Sequence, residues 1–129
     1  SRPGWTALML AARWDNTEIA QLLIGAGANV NASNACAKTA LMSAAECGRT
    51  EIVQLLIDSG ADVNATYNYG HTALMDAAFG GKTETILLLI AAGADVNAIN
   101  SNGKTALMIA KESRRTEIVQ LLSDHGAVE

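Results

Sequence analysis

The stretch TALMSAAECGRTEIVQLLIDSGADVNA, residues 39–65, decides the fold of this chain, because close copies of it recur along the sequence. Its first four letters, Thr-Ala-Leu-Met, begin at residues 6, 39, 72 and 105, a spacing of 33 residues each time. Thr-Glu and Gly-Ala pairs recur on the same period. Self-similarity at a fixed period is the signature of a repeat architecture. We therefore predict one domain, residues 1–129, made of the repeats 1–33, 34–66, 67–99 and 100–129.

Each repeat predicts two short helices followed by a turn. Thr39 is placed to cap the first helix of its repeat and Thr50 the second, and apolar residues follow each at helical spacing. Gly60 stands where a left-handed residue would end the second helix. One repeat has apolar residues facing both neighbours, so only stacking can bury them. We expect an all-α solenoid of four helix-turn-helix repeats joined by turns that resemble β-hairpins.

Composition narrows the function classes. Half of the residues are hydrophobic, the mean hydropathy is +0.17 and the net charge is −4, which excludes a disordered chain. A nucleic-acid surface normally shows a clustered basic patch, and none is present, so we expect no nucleic-acid partner. The longest apolar run falls far short of the ~20 residues that span a bilayer, so we expect no membrane partner. Two cysteines are too few for a disulfide framework, and we expect an intracellular protein, cytoplasmic or nuclear.

The repeated motifs carry a family resemblance. Thr-x-Leu, the paired alanines, Glu-Ile-Val-x-Leu-Leu and Gly-Ala-Asp-Val-Asn-Ala resemble the ankyrin repeat over essentially the whole chain. The resemblance implies a partner protein bound at the turn tips and on the exposed, concave side of the first helices. Three departures stand out. Each repeat has Ala-Leu-Met where the family usually has Pro-Leu-His, Ala37 replaces a turn glycine, and Asp15 and Arg114 replace the glycine between the two helices.

Nothing in the sequence predicts catalysis or a metal site. The two histidines, His71 and His125, lie in different repeats at unrelated registers, so neither a catalytic triad nor a zinc site is expected. We expect no catalytic residue, no metal ligand and no cofactor. Cys36 and Cys47 are separated by a helix ~10 Å long, beyond the reach of a disulfide, and are expected to be free thiols.

The aromatic residues give the functional signal. The chain has five, Trp5, Trp14, Tyr67, Tyr69 and Phe79, and all five fall at registers where the family resemblance places partner contacts. Exposed tryptophan and tyrosine lower solubility and form the hot spots of protein interfaces. The sequence therefore predicts a non-catalytic protein-binding module, and such a surface suits a scaffold or adaptor protein and an engineered binder alike.

The predicted groove has repeat two as its floor, because that repeat has small residues where its neighbours have rings. A partner helix or a protruding loop would fit between walls ~20 Å apart. Asp76 is either a contact residue or a solvated carboxylate, since its register holds other residue types in the other repeats. The predicted partner-binding residues are Trp5, Arg13, Trp14, Cys36, Lys38, Glu46, Cys47, Tyr67, Tyr69, His71, Asp76 and Phe79.

Two alternatives to groove binding remain open from the sequence. Repeat four has Lys111 and Ser123 where the other repeats are apolar, which is typical of a carboxyl-terminal cap, whereas Ile19 and Leu22 keep repeat one apolar. The chain is expected to be a monomer, with a homodimer through this amino-terminal face as the structural alternative. The second alternative is a methyl-lysine peptide reader, in which the paired tryptophans and Glu46 form a cage.

Overall fold

A computed structural model describes residues 6–128. This part of the chain has eight helices in four successive pairs, as the period predicts, and one short hairpin before the third pair. The elements are α1 (Ala7–Arg13), α2 (Thr17–Gly25), α3 (Ala40–Cys47), α4 (Thr50–Asp58), β1 (Thr66–Tyr67), β2 (His71–Thr72), α5 (Ala73–Gly80), α6 (Thr83–Ala91), α7 (Ala106–Glu112) and α8 (Thr116–Asp124). The predicted all-α solenoid is confirmed. The hairpin is antiparallel and pairs Tyr67 with His71.

The first helix of every repeat begins at a threonine cap, as the sequence predicts. The Thr39 hydroxyl accepts a hydrogen bond from the backbone N–H three residues later, at 3.4 Å. Thr6, Thr72 and Thr105 make the same bond in their repeats, at 3.1, 3.2 and 3.3 Å. Each bond satisfies an N–H group that a helix terminus would otherwise leave unpaired.

The second helix of repeat two begins differently from the prediction. Arg49, not Thr50, occupies the cap position of α4, and no side chain caps the helix there. Thr50 is instead the first helical residue, and Glu51 places its carboxylate in the first turn, where the helix dipole favours negative charge. The expected cap at Thr50 is therefore wrong, because Arg49 takes the cap position and its guanidinium group has no oxygen that could accept a hydrogen bond.

The inner row of helices forms the centre of the core. α3 packs between α1 and α5, and α5 packs on α7, while α4 packs against both α2 and α6. Every residue from 40 to 45 is buried. Met9, Met42 and Met75 share one register and are at most 1% exposed, so the flexible thioether side chains fill the space between repeats.

An asparagine ladder connects the loops that follow the second helices. The side chain of Asn64 accepts from the backbone N–H of Asp95 at 2.7 Å and donates to the carbonyl of Gly93 at 3.1 Å. Asn31 and Asn97 make the equivalent pair of bonds to the following repeat or to the chain end. Neighbouring repeats are therefore linked by side-chain hydrogen bonds as well as by apolar packing.

The turn tips also stack on one another. The backbone N–H of Asn68 donates to the carbonyl of Cys36 at 3.1 Å, and that of Ser101 donates to the carbonyl of Tyr69 at 2.7 Å. These bonds hold the tips of repeats two, three and four in one row. Side chains at the same register are thereby presented side by side.

Candidate functional site

The predicted binding residues gather on one surface, which we call the contact face. It consists of the turn tips together with the outward ends of the first helices. In the described residues it comprises 34–38, 67–71 and 100–104 from the tips, and 13–14, 46–47, 79–80 and 112–113 from the helices. Trp5 lies outside the described residues.

Three aromatic rings project from the contact face into solvent. Trp14 and Tyr69 are each 70% exposed, and Phe79 is 67% exposed. They come from three different elements: the end of α1, the tip of the third turn and the last turn of α5. A surface that leaves rings of this size uncovered is typical of an interaction site.

Tyr67 differs from the other aromatics, and its expected exposure is wrong. The ring is half-buried against the core, and its hydroxyl donates to Oδ1 of Asp76 at 2.8 Å. The Lys38 ammonium group lies 5.2 Å from the centre of the Tyr67 ring, in cation–π contact, and the His71 ring lies 5.8 Å away on a tilt. Tyr67 is therefore part of a polar cluster that joins repeats two and three.

Burial has the largest effect on the pKa values of Asp76 and Tyr67 in this cluster. It raises the pKa of Asp76 to about 6, because a charged carboxylate is poorly solvated there, and Tyr67 and Lys38 offset part of that effect. Burial and the adjacent Asp76 carboxylate also raise the pKa of the Tyr67 hydroxyl. Asp76 is thus a partly buried carboxyl group hydrogen-bonded to Tyr67, not the freely solvated carboxylate that was one of the two alternatives from the sequence, and its role as a contact residue stays a prediction.

Two ion pairs occupy the contact face at matching registers. Lys38 pairs with Glu46 at 2.5 Å in repeat two, and Lys104 pairs with Glu112 at 2.8 Å in repeat four. In repeat three the corresponding residues are His71 and Phe79, so the pair is replaced by a ring. Lys38 and Glu46 are among the binding residues predicted from the sequence, whereas Lys104 and Glu112 are not. The signal available in the sequence was that Lys104 and Glu112 repeat Lys38 and Glu46 at the same registers.

Two cavities open on this face. The amino-side cavity, of about 340 Å³, lies between repeats one and two. Its lining residues are Arg13, Trp14, Ser43, Glu46, Cys47 and Arg49. The carboxyl-side cavity, of about 460 Å³, lies between repeats three and four and is lined by Tyr67, His71, Met75, Asp76, Phe79, Asn100, Asn102, Lys104, Ile109, Glu112 and Ser113.

The cavities change the shape expected from the sequence. The small residues of the second turn, Ala35 and Cys36, are exposed, as a groove floor would require. The two hollows, however, lie on either side of the junction between repeats two and three, where Lys38, Glu46 and Tyr67 fill the surface. Repeat four contributes more than half of the residues that line the larger hollow, which the distribution of aromatic residues did not indicate.

The remaining predicted residues are placed as follows. Cys36 is exposed at the tip, Cys47 is partly exposed in the amino-side cavity, and both are free cysteines. The exposed Arg13 ends α1, and its carbonyl oxygen accepts from the Arg49 guanidinium at 3.3 Å. Trp14 and Glu46 line the same cavity, but the second tryptophan of the predicted methyl-lysine cage is outside the described residues.

The described region offers no cluster suited to metal binding. Across residues 6–128, no group of three or more His, Cys, Asp or Glu side chains comes close enough together to hold an ion. None of the helices in that part of the chain has the length and apolar character needed to cross a bilayer.

Comparison with known proteins agrees with the repeat period. A family model described as ankyrin repeats (3 copies) matches residues 1–67 and again residues 64–128. The comparison with curated proteins finds no match. The two family matches together cover nearly the whole chain, and their junction falls at the boundary between the second and third repeats. The chain therefore belongs to the ankyrin repeat family.

Proposed function

We propose that this chain is a non-catalytic module that binds a partner protein across the contact face. Ankyrin repeats are generally modules of protein–protein interaction. The observation that carries the proposal is the exposure of Trp14, Tyr69 and Phe79, each about two-thirds uncovered, on the face that also has the two cavities. Rings beside pockets are where interface energy concentrates.

The partner is a helix or a protruding loop long enough to reach both cavities. Each cavity accepts one or two side chains, while the filled junction around Tyr67 and Lys38 supports the backbone between them. The tip residues Cys36 and Tyr69 and the rim residue Arg13 are the outer contacts. An intracellular location is part of the proposal, and the free cysteines, one of them exposed at the tip, are consistent with it.

Alanine variants of the anchors test this proposal. Proteins captured by the wild-type chain would be identified and titrated against Trp14→Ala and Tyr69→Ala. Each variant should weaken binding by ~2 kcal/mol, because large rings near an interface centre dominate such scans. Leu87→Ala is the matched control, since Leu87 is a large apolar residue, 41% exposed, on the second helix of repeat three. Equal binding by all three variants would refute the proposal.

A blocking substitution provides an independent test. Cys47→Trp places a ring at the register where repeat one already has Trp14, so the fold should be kept while the amino-side cavity is filled. Binding should fall by tenfold or more if the partner uses this cavity. Unchanged affinity, with unchanged thermal unfolding, would show that the partner binds elsewhere.

Self-association is the second candidate, favoured by the apolar surface of α2. Leu22 is 69% exposed and Ile19 is 42% exposed, which is unusual for residues at registers that the inner repeats bury more deeply. A homodimer through this surface should appear in light scattering as a mass that rises with concentration. It should disappear in Leu22→Glu, whereas the contact-face variant Tyr69→Ala should leave it unchanged.

A further inference from the structure

The carboxyl-side cavity places apolar side chains beside a carboxyl group that has no ion-pair partner among the described residues. Its walls include the side chains of Met75, Phe79 and Ile109, and Asp76 lies among them. Phe79 is mostly exposed, so one side of the cavity is an open aromatic surface. Apolar surface beside a carboxylate suits a side chain with a long apolar stem and a charged head.

The two other acids of this region already have partners. Glu112 holds the ammonium group of Lys104 at 2.8 Å, and Glu46 holds that of Lys38. Asp76 has a neutral hydroxyl, that of Tyr67, as its hydrogen-bond donor. Among the described residues, Asp76 is therefore the carboxylate at the cavity that has no ion-pair partner.

Asp76 also has unused hydrogen-bonding capacity. Its Oδ1 accepts from Tyr67, whereas its buried Oδ2 has no partner among the described residues. Each carboxylate oxygen can accept two hydrogen bonds. Rotation about the Cβ–Cγ bond, which is a soft torsion, would let either oxygen turn toward the cavity that Asp76 lines. The cavity thus favours a donor-rich cation.

We propose that the carboxyl-side cavity binds an arginine side chain of the partner, with the guanidinium group beside Asp76 and the stem on Phe79 and Ile109. This inference rests on the proposed function and specifies the chemistry of one of its subsites. An acidic side chain would be repelled by Asp76. A purely apolar one would cover a carboxylate without giving it a counter-charge, which is unfavourable.

Arginine fits the cavity better than lysine does. The guanidinium group is planar, stacks on aromatic faces such as that of Phe79, and carries five N–H donors for the oxygens of Asp76 and Glu112. A lysine ammonium group is more strongly hydrated and offers no flat surface to a ring.

A small-molecule probe tests the cavity without knowledge of the partner. N-butylguanidinium has the stem and head of an arginine side chain, and N-butylurea has nearly the same shape without the charge. Titration followed by amide NMR should show shifts at Asp76, Phe79 and Ile109 with butylguanidinium. Butylurea should bind at least fivefold more weakly. Equal binding of the two compounds, or no shift at these amides with butylguanidinium, would overturn the inference.

Variants that remove one negative charge test whether Asp76 is the group that binds the probe. Asp76→Asn should weaken butylguanidinium binding at least fivefold, while Glu84→Gln, which removes one negative charge from the exposed start of α6, should leave it unchanged. Asp76→Ser is a second variant, because serine occupies this register in repeat two. The inference fails if both Asp76 variants bind the probe as the wild type does.

The outcome is separable from that of the proposed function. Butylguanidinium binding requires no protein partner, whereas the Trp14→Ala and Tyr69→Ala titrations do not depend on the carboxyl-side cavity. If the probe does not bind but both ring variants weaken the partner, only the arginine subsite is refuted. If the probe binds but the ring variants have no effect, the cavity is a cation site and the proposed interface is refuted.

Discussion

Ala37 adopts a left-handed backbone conformation, with φ of 66°, at the tip of the second turn. Repeats three and four have Gly70 and Gly103 at this register, with φ of 82° and 73°. A residue with a Cβ atom strains in this region by ~1–2 kcal/mol. Ala37 departs from the family pattern in sequence, and the turn keeps the glycine conformation despite it.

Ala37→Gly should therefore stabilise the domain. Relief of the strain exceeds the entropy that glycine adds to the unfolded chain, so the free energy of unfolding should rise by ~0.5–1 kcal/mol. Chemical denaturation is the measurement. Ala35→Gly, two residues away and outside the left-handed region, is the control and should destabilise by a similar amount. A loss of stability in Ala37→Gly would contradict the strain.

Asp76 makes the stability depend on pH in an unusual direction. Burial raises the pKa of its carboxyl from the ordinary value of 3.8 to about 6, so folding favours the protonated form. The free energy of unfolding attributable to this group should rise as the pH falls through about 6 and should stop rising below about 4. This difference between the folded and unfolded pKa values corresponds to a total gain of ~3 kcal/mol in the free energy of unfolding.

The measurement is a comparison of wild type with Asp76→Asn by urea unfolding. Between pH 7 and pH 4 the wild type should gain ~2 kcal/mol relative to the variant, because the other carboxylates titrate alike in both proteins. Lys38 and Glu46, which face Asp76, act in opposite directions on its pKa and are present in both. A constant difference across this range would show that Asp76 is not buried as described.

At the scale of the elements, the sequence predicted what depends on local chemistry. Helix starts at Thr39 and its equivalents follow from the cap signal. The expected cap at Thr50 was wrong, since Thr50 is already the first helical residue of α4 and Arg49 takes the cap position. The asparagine ladder was not predicted, because the sequence shows that Asn31 and Asn64 recur but not which backbone groups lie beside them.

In the candidate site, too, features set by local chemistry could be predicted and features set by contacts between residues far apart in sequence could not. Exposure of Trp14, Tyr69 and Phe79 could be predicted from their registers, because the period fixes which side of a helix or turn they occupy. The half-burial of Tyr67 could not, since it depends on packing against the core and on a hydrogen bond to Asp76, whose register has no acid in the other repeats. The cavity positions depend on distances between repeats, which no single repeat encodes.

The ladder should contribute measurably to coupling between repeats. Asn64→Ala removes two hydrogen bonds to the next repeat and should lower the free energy of unfolding by ~1–2 kcal/mol. Asn97→Ala removes two bonds of the same kind, but these hold only residues 126–128, and it should lower the free energy of unfolding by under ~1 kcal/mol. Equal effects in denaturant unfolding would show that the bonds act locally rather than between repeats.

At the scale of the whole molecule, burial is concentrated in the middle of the stack. The second helix of repeat two, α4, buries Ile52, Val53 and Leu56, whereas the second helix of repeat one, α2, buries only Ala20. A repeat solenoid gains stability from each interface between neighbours, so an element with one neighbouring repeat gains less than an element with two. The same sequence motif should therefore contribute differently at different places in the stack.

Ile19 and Ile52 allow a matched test, since they share a register in the near-identical helices TEIAQLLIG and TEIVQLLID. Ile52 is fully buried between α2 and α6, and Ile52→Ala should cost ~2–4 kcal/mol through lost burial and a residual cavity. Ile19 is 42% exposed, and Ile19→Ala should cost under ~1 kcal/mol. Both values come from denaturant unfolding of the monomer, with light scattering to check its mass. A cost at Ile19 equal to that at Ile52 would mean that α2 is covered in solution, which is the result that self-association through this surface requires.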